Sequence, residues 1–192
     1  IAILLHDIGH GPYSHALEHS IVGGMSHEEL SVLMMQRLNE QFEGKLELAI
    51  RIFTNKYHKH FLHQLVSSQL DMDRLDYLKR DSFYTGVSEG VINTDRIIKM
   101  LTVCNDEIMV EDKGIYSIEK FIVARRLMYW QVYYHKTVVS AENMMINLLR
   151  RAKYLAEKGT GLFATPAFLH FLQHRFTRED FENDLSLLGK FA

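Results

Sequence analysis

The chain has 192 residues, 47% of them hydrophobic and 24% charged, which is the composition of an ordinary globular protein and suits a single domain. Its 22 Lys and Arg against 24 Asp and Glu give a formal net charge of −2. This balance provides no general basic field for nucleic-acid binding, so a phosphate-bearing ligand must be held by a local group of cations or by a metal ion.

Cysteine usage and hydropathy narrow the class of protein further. The single cysteine, Cys104, excludes an internal disulfide framework and suits a reducing compartment, so we expect a cytoplasmic protein. No apolar run approaches the roughly 20 residues of a membrane span, and nothing resembles a signal peptide. Prolines are rare and helical spacing of apolar residues is frequent. We predict an all-α fold with a small β-hairpin near 107–118, whose strands are 107–110 and 115–118.

The first stretch of chemical interest follows the apolar run 1–5. Four histidines and two carboxylates fall within fourteen residues, His6-Asp7-Ile8-Gly9-His10-Gly11-Pro12-Tyr13-Ser14-His15-Ala16-Leu17-Glu18-His19. Burying an unpaired aspartate is costly, so a buried one is normally paired or bound to metal. His6 and Asp7 supply the nitrogen and the anionic oxygen that a divalent ion accepts together. Two interpretations remain open, namely half of a metal site and a buried His–Asp hydrogen bond at a helix end.

Capping and stop signals place the neighbouring helices. Residues 1–7 indicate the last turns of a helix, and 13–21 the next helix after a Gly- and Pro-containing bend. Ser26 and Glu29 have capping-box spacing, which predicts a helix from 27 to about 41. Shorter helices are predicted at 46–53 and 59–66. Several histidines lack acidic neighbours at metal-ligand spacing and are interpreted as surface or structural residues: His58, His60, His63, His170 and His174.

A second informative stretch runs from Ser68 to Asp81. On a helix, Asp73, Tyr77 and Asp81 share one stripe at i, i+4 and i+8, while Asp76 and Arg80 form an i,i+4 pair on another. The opposite side is apolar, with Leu70, Leu75 and Leu78. The pattern allows a solvated helix with an ion pair, or a pocket wall in which the stripe faces a ligand.

Downstream, 94–103 predicts a helix, and 118–157 contains no Gly or Pro and predicts one long helix or two nearly continuous ones. Tyrosines, a tryptophan and basic side chains crowd 125–136. They suit a phosphorylated, ring-bearing ligand, although most of the aromatic residues are also explained as core. Two further helices are predicted to start at Pro166 and Arg178.

Together the two informative stretches resemble the HD-domain phosphohydrolases, most closely the branch that holds deoxynucleoside triphosphate triphosphohydrolases. The resemblance covers about 1–155. The matching blocks are His6-Asp7-Ile8-Gly9-His10-Gly11-Pro12-Tyr13-Ser14-His15, Ser26-His27-Glu28, Asp71-Met72-Asp73-Arg74-Leu75-Asp76-Tyr77 with Arg80-Asp81, and Tyr133-Tyr134-His135-Lys136. The family pattern implies a helical fold and one divalent ion held by two histidines and two aspartates. His6, Asp7 and Asp73 map onto three of these ligands, and the first His is expected a few tens of residues before Ile1, on a longer polypeptide.

The same resemblance implies roles for the remaining site residues. The catalytic group would be His10, Glu18 and His27. Substrate-binding residues would be His15, Arg74, Tyr77, Asp81, Arg125, Tyr133, His135 and Lys136. Among them, Tyr77 would pack on the sugar, Asp81 would accept from its 3′-hydroxyl, and His15 and Arg125 would contact phosphates. Glu18 and Arg74 stand where the mammalian enzyme of the branch has Asp and Lys, which keeps the charge of each side chain.

The sequence therefore predicts a metal-dependent phosphohydrolase acting on nucleotides, most closely a dNTP triphosphohydrolase, with one divalent ion (Mn, Mg, Fe, Zn or Ni) as cofactor. The alternatives are another phosphodiesterase or phosphomonoesterase of the superfamily, a non-catalytic nucleotide sensor, and a helical interaction scaffold. We expect an HD phosphohydrolase domain over 1–157, a helical extension of it over 158–192, a nucleotide activator and a homo-oligomer of two or four subunits.

Overall fold

The computed structural model describes residues 1–13, 25–184 and 186–191, and the helix predicted at 13–21 lies almost entirely outside these ranges. In the described part the fold is all-α with one antiparallel hairpin, as predicted. The α-helices are α1 (His27–Gln41), α2 (Glu47–Phe53), α3 (His60–Gln64), α4 (Met72–Thr85), α5 (Thr94–Met100), α6 (Ile115–Met128), α7 (Lys136–Glu157), α8 (Pro166–Gln173), α9 (Arg178–Asn183) and α10 (Ser186–Phe191). The strands are β1 (Leu101–Cys104) and β2 (Glu107–Val110). Within the described ranges, no helix combines the length and the apolarity needed to cross a bilayer.

Helix boundaries follow the capping signals in the sequence. The capping box that starts α1 is present, because Glu29 N donates to Ser26 Oγ at 3.2 Å and Ser26 N donates to Glu29 Oε2 at 3.0 Å. At its other end, α4 is followed by Gly86 at φ +72°, a left-handed cap that glycine adopts without strain. The predicted starts at Pro166 and Arg178 are also confirmed.

The hairpin is one strand earlier than predicted. Residues 101–104 pair with 107–110, with Leu101 opposite Val110 and Cys104 opposite Glu107, and 115–118 instead begin α6. The turn is made by Asn105 and Asp106, whose positive φ values of 52° and 65° match a tight two-residue hairpin turn. Because 101–104 are strand, the helix predicted over 94–103 ends at Met100.

Two further helix predictions are refined by the structure. The segment predicted as the last turns of an α-helix forms a short 3-10 helix at Ile3–Leu5 followed by turns. The stretch 118–157 is two nearly continuous helices, α6 and α7, separated by a π-helical turn at Tyr129–Tyr133. A π-helical turn is uncommon and often accompanies a functional site, since it redirects the side chains around it.

The chain divides into two compact units, each with its own core. Unit 1 takes the described residues within Ile3–Ile50 and Ser140–Ala192, together with Ile1, and unit 2 takes Arg51–Val139 with Ala2. Buried core residues of unit 1 include Leu30, Met34, Leu149, Phe171 and Phe181. Those of unit 2 include Leu75, Leu78, Ile97, Phe121 and Met128. In unit 1 the segment around His6 lies beside α1, and in unit 2 the helices α4 and α6 share one core.

Candidate active site

In unit 1 the segment from His6 to His10 is held against α1 by backbone contacts. Gly9 N donates to the hydroxyl of Ser31 at 2.9 Å, and that hydroxyl donates to the carbonyl of His6 at 2.7 Å. Glycine is required at this approach, because a Cβ on Gly9 would lie 2.3 Å from His27 O and from Ser31 N. The segment therefore lies directly on the first turns of α1, where His27 is the first helical residue.

This contact brings one carboxylate and three imidazoles together. Asp7 Oδ1 lies 3.2 Å from His6 Nε2 and 3.7 Å from His10 Nε2. The rings of His10 and His27 stack with centroids 4.1 Å apart and an angle of 11° between their planes. One ligand atom each from Asp7, His10 and His27 lies within 4.8 Å of the others. The side chain of Asp7 is 52% exposed, whereas those of His6 and His10 are largely covered.

The tautomer of His6 follows from its backbone contact. Nδ1 lies 2.6 Å from the carbonyl oxygen of Ile3, and a carbonyl only accepts, so Nδ1 carries the hydrogen. In the neutral ring Nε2 then presents a lone pair next to Asp7 Oδ1. The Nε2 lone pair of His6 and the Oδ1 oxygen of Asp7 are both acceptors. At a separation of 3.2 Å they attract each other only if a proton or a cation lies between them. A fixed Nδ1–H beside an imidazole–carboxylate donor set is the usual arrangement at a metal-ligating histidine, so these residues fit a divalent ion.

In unit 2, α4 carries the Asp73, Tyr77 and Asp81 stripe, and all three residues are half-buried. The stripe is thus neither core nor a fully solvated face. The ion pair predicted between Asp76 and Arg80 is present on the exposed side of the helix. The half-buried stripe is consistent with the prediction that α4 forms the wall of a pocket.

Tyr77 and Asp81 are both contacted by Tyr133 from the π-helical turn. The rings of Tyr77 and Tyr133 meet edge to face with centroids 5.9 Å apart. The Tyr133 hydroxyl donates to Asp81 Oδ2 at 2.6 Å. Burial, together with this hydrogen bond to a carboxylate, raises the pKa of Tyr133, so the phenol stays protonated and remains a donor. A carboxylate has two oxygens, and Asp81 keeps acceptor capacity for a ligand hydroxyl.

Two cations flank these aromatic residues within unit 2. Arg125 Nη1 donates to Gln69 Oε1 at 2.9 Å, and its guanidinium carbon lies 5.7 Å from the centre of the Tyr129 ring. Arg74 pairs with Asp71, which is 1% exposed and also accepts from Arg74 N at 2.8 Å. Among the described residues, Arg74 Nε is a buried nitrogen without a hydrogen-bond partner.

Similarity to known proteins agrees with this geometry. Residues 92–161 match the family model described as the HD associated region. A Dictyostelium discoideum homologue of the deoxynucleoside triphosphate triphosphohydrolase SAMHD1 is 31% identical over 79% of this chain and 33% of its own length. The crystal structure of a phosphohydrolase from Bacteroides thetaiotaomicron superposes with a TM-score of 0.95 at 60% identity, covering 99% of this chain and 47% of that one. The chain belongs to the HD superfamily.

The chain is shorter than its relatives in the HD superfamily. The uncharacterized protein YwfO of Bacillus subtilis is 35% identical over 94% of this chain but only 43% of its own length. The chain thus spans less than half of the curated relatives named here. Within it, His6 and Asp7 are adjacent in sequence and in contact, with Nε2 and Oδ1 3.2 Å apart.

The structure brings the predicted site residues together in two groups, one in each unit, and some of them lie outside both groups. His10 and His27 are joined with Asp7 in unit 1, while Tyr77, Asp81 and Tyr133 are joined in unit 2. Glu18, predicted to be catalytic, and His15, predicted to contact phosphate, lie outside the described residues. His135 and Lys136 are exposed at the start of α7, and His135 Nδ1 accepts from Thr137 N at 3.3 Å.

Two polar residues with clear structural roles were missed in the sequence. Ser31 is fully buried within an apolar stretch of α1, and Asp71 is the N-cap of α4. The spacing of Asp71 to Arg74 is that of a capping side chain to the third helical amide, a signal available in the sequence. The long-range partners of Ser31 carry no such local signal.

The alkaline titration of Tyr77 provides a test of the tyrosine cluster. Burial, reinforced by the neighbouring Tyr129, raises the pKa of Tyr77 to about 12 from 10.0. Unfolded chains lose this proton near pH 10 and the folded protein does not, so folding stability contributed by Tyr77 is present below pH 10 and is lost as the pH rises toward 12. We expect Tyr77→Phe to lose less stability than the wild type in denaturant titrations between these two pH values. Equal losses would contradict the buried, neutral Tyr77.

Proposed function

We propose that this HD-superfamily chain is the catalytic part of a metal-dependent phosphohydrolase that converts a dNTP and water to a deoxynucleoside and triphosphate. The observation that carries the proposal is the grouping of Asp7 with the stacked rings of His10 and His27. The names of the Bacteroides phosphohydrolase and the Dictyostelium triphosphohydrolase support the reaction class and the substrate. In this reaction a water oxygen bonds to the α-phosphorus while the bond from that phosphorus to the 5′-oxygen breaks.

The proposed metal ligands are His6, Asp7 and, by the family pattern, Asp73. A divalent ion supplies a Lewis acid that polarises a phosphoryl oxygen and acidifies water. The protein's contribution is to orient the ligands, and the hydrogen bond from His6 Nδ1 to Ile3 O fixes the first of them.

The proposed catalytic group consists of His10, His27 and Glu18. Histidine exchanges protons near neutral pH, so an imidazole pair in contact can pass a proton between the attacking water and the leaving 5′-oxygen. The 4.1 Å stacking of the two rings keeps both within one reaction volume next to Asp7. Glu18 is carried over from the resemblance as the acid that orients this pair.

The proposed sugar and phosphate contacts use the wall in unit 2. Tyr77 offers a ring face to the deoxyribose, and a hydroxyl at the 2′ position would collide with that face. Asp81, oriented by the Tyr133 hydroxyl, would accept from the 3′-hydroxyl. Arg74 and Arg125 would neutralise phosphate charge, together with His15, His135 and Lys136.

A product analysis tests the reaction class. The full-length protein is incubated with Mn²⁺ or Mg²⁺ and a panel of dNTPs, alone and in mixtures that supply an activating nucleotide, with ATP as the ribonucleotide control. We expect inorganic triphosphate and deoxynucleoside from dNTPs and little product from ATP. Release of monophosphate instead selects a phosphodiesterase or phosphomonoesterase. Nucleotide binding without any turnover indicates a nucleotide sensor. The proposed homo-oligomer is tested separately, by light scattering with and without dNTP.

Asp73 has a matched control on the same helix. Asp73→Asn should abolish most of the turnover and weaken Mn²⁺ binding, because the neutral amide is a poorer ligand than the carboxylate. Asp76→Asn, which removes a negative charge of the exposed pair with Arg80, should leave both unchanged. Calorimetric Mn²⁺ titrations and initial rates measure the two effects. Wild-type Mn²⁺ affinity in Asp73→Asn removes Asp73 from the ligand set.

A further inference from the structure

Ser31 makes contacts that its position in α1 does not require. Its relative exposure is 0%, and it lies within the apolar stretch Leu30–Met35 of the helix. Serine is a poor residue for a helix interior, because its hydroxyl competes for backbone groups. Here the hydroxyl instead bonds to two backbone groups more than twenty positions earlier in the chain, the carbonyl of His6 and the amide of Gly9.

The two bonds hold both ends of the turn that carries Asp7. The hydroxyl donates to His6 O, immediately before Asp7, and accepts from Gly9 N, immediately before His10. Within the segment, His10 N donates to Asp7 O at 3.1 Å and closes the turn. A hydroxyl both donates and accepts, so one serine side chain ties down both ends of the turn.

The same contact sets the position of the turn relative to His27. Ser31 follows His27 by four residues, so the two share a face of α1. The backbone of Gly9 lies against this face, where only glycine fits. The distance between the His10 and His27 rings therefore depends on how closely the turn is held to α1 at Ser31.

We propose that Ser31 is a positioning residue: its hydroxyl clamps the turn from His6 to His10 onto α1 and so sets the arrangement of Asp7, His10 and His27. The clamp itself rests on the two hydrogen bonds of Ser31. Its effect on metal binding rests on the proposed metal ligands His6 and Asp7, and its catalytic consequence rests on the proposed reaction. Outer groups that orient metal ligands typically contribute about 10–100-fold to metal affinity.

The test is a calorimetric titration of metal-free protein with Mn²⁺. Ser31→Ala should weaken Mn²⁺ binding by about 10-fold or more. The matched control is Ser82→Ala, since Ser82 is also a buried helical serine, 4% exposed, whose hydroxyl donates to a backbone carbonyl, Val87 O, at 2.7 Å. We expect both variants to melt at lower temperature and only Ser31→Ala to lose Mn²⁺ affinity. Ser31→Cys, which keeps the shape of the side chain with a slightly larger atom and weakens the hydrogen bonds, should fall between Ser31→Ala and the wild type.

Outcomes of the titration separate the clamp from general stability and from the proposed function. Wild-type Mn²⁺ affinity in a folded Ser31→Ala, or in Ser31→Cys if the alanine variant does not fold, overturns the proposal. An equal loss of Mn²⁺ affinity in Ser82→Ala also overturns it. At saturating Mn²⁺ and with the dNTP concentration varied, we expect Ser31→Ala to lower kcat more than it raises KM. A protein that binds Mn²⁺ through this clamp yet hydrolyses no dNTP keeps the inference and loses the proposed function.

Discussion

Replacing His27 with alanine should lower kcat for dNTP hydrolysis by about 10²–10⁴-fold, the usual contribution of a positioned acid–base group. The ring of His27 stacks on His10 beside Asp7, so its removal takes away one half of the proposed proton-handling pair. The helix should survive, because the capping box of α1 is made by Ser26 and Glu29 rather than by the His27 side chain. Initial rates at saturating dNTP and Mn²⁺ measure the effect, and circular dichroism checks the fold.

The matched control for His27 is His58, an exposed histidine outside the site whose ring contacts Tyr57. His58→Ala should retain wild-type kcat. If His10 and His27 act in one proton transfer, the double variant should lose no more activity than the worse single variant, because residues that act as a unit are not additive. Fully additive losses would assign the two histidines to separate steps, and a wild-type rate in His27→Ala would remove it from catalysis.

Local sequence signals were sufficient for the helices that carry the site. The capping box at Ser26 and Glu29 and the stripe of Asp73, Tyr77 and Asp81 both depend on residues three or four positions apart, which helix geometry alone brings together. The two helices therefore form where the sequence predicts them. Membership of the HD superfamily could also be predicted from the sequence, because the block from His6 to His15 combines many chemically constrained positions.

The hairpin was misplaced because its signals conflict. Gly114 is a strong turn residue, yet here it is required by packing, since a Cβ would lie 2.8 Å from Met100 Cβ and Val110 Cγ1. The actual turn uses Asn105 and Asp106, which tolerate positive φ less readily than glycine. The glycine that stands out in the sequence thus serves close packing, and the hairpin turn is made by the weaker local signal, Asn105-Asp106.

The contacts of Ser31 were unpredictable for the same reason. A serine among the apolar residues of α1 is visible in the sequence, but its partners, His6 O and Gly9 N, are backbone groups with no residue-specific signature. Asp71 is a different case. Its cap on α4 is a local contact, the bond from Arg74 N, and could be predicted from the sequence, whereas its burial could not. The sequence thus predicts candidate side chains for this site and gives no signal for the backbone contacts that hold them in place.

Among the glycines compared in the described residues, Gly9 is the one at which an added methyl group meets the closest atoms, so we expect Gly9→Ala to have the largest effect on stability. In Gly9→Ala the new Cβ would lie 2.3 Å from His27 O and from Ser31 N, both backbone atoms that cannot rotate away. The turn must then move off α1 and lose the hydrogen bond from Gly9 N to Ser31. Overpacking of this kind costs about 1–3 kcal/mol or more, which lowers Tm by several degrees in a chain of this size. Mn²⁺ affinity should fall as well, since Asp7 and His10 lie on the displaced segment.

Gly161 is the control for this substitution, because a Cβ there has no atom within 4 Å and meets open space. Gly161→Ala should change the free energy of unfolding by about 0.5 kcal/mol or less. Thermal melts with and without Mn²⁺ compare the two variants. A general effect of losing glycine predicts similar melts, whereas contact between the turn and α1 predicts a loss of Tm and of the Mn²⁺-induced stabilisation in Gly9→Ala alone. A Gly9→Ala protein that keeps both would place the turn away from α1 and would remove the structural basis for bringing Asp7, His10 and His27 together.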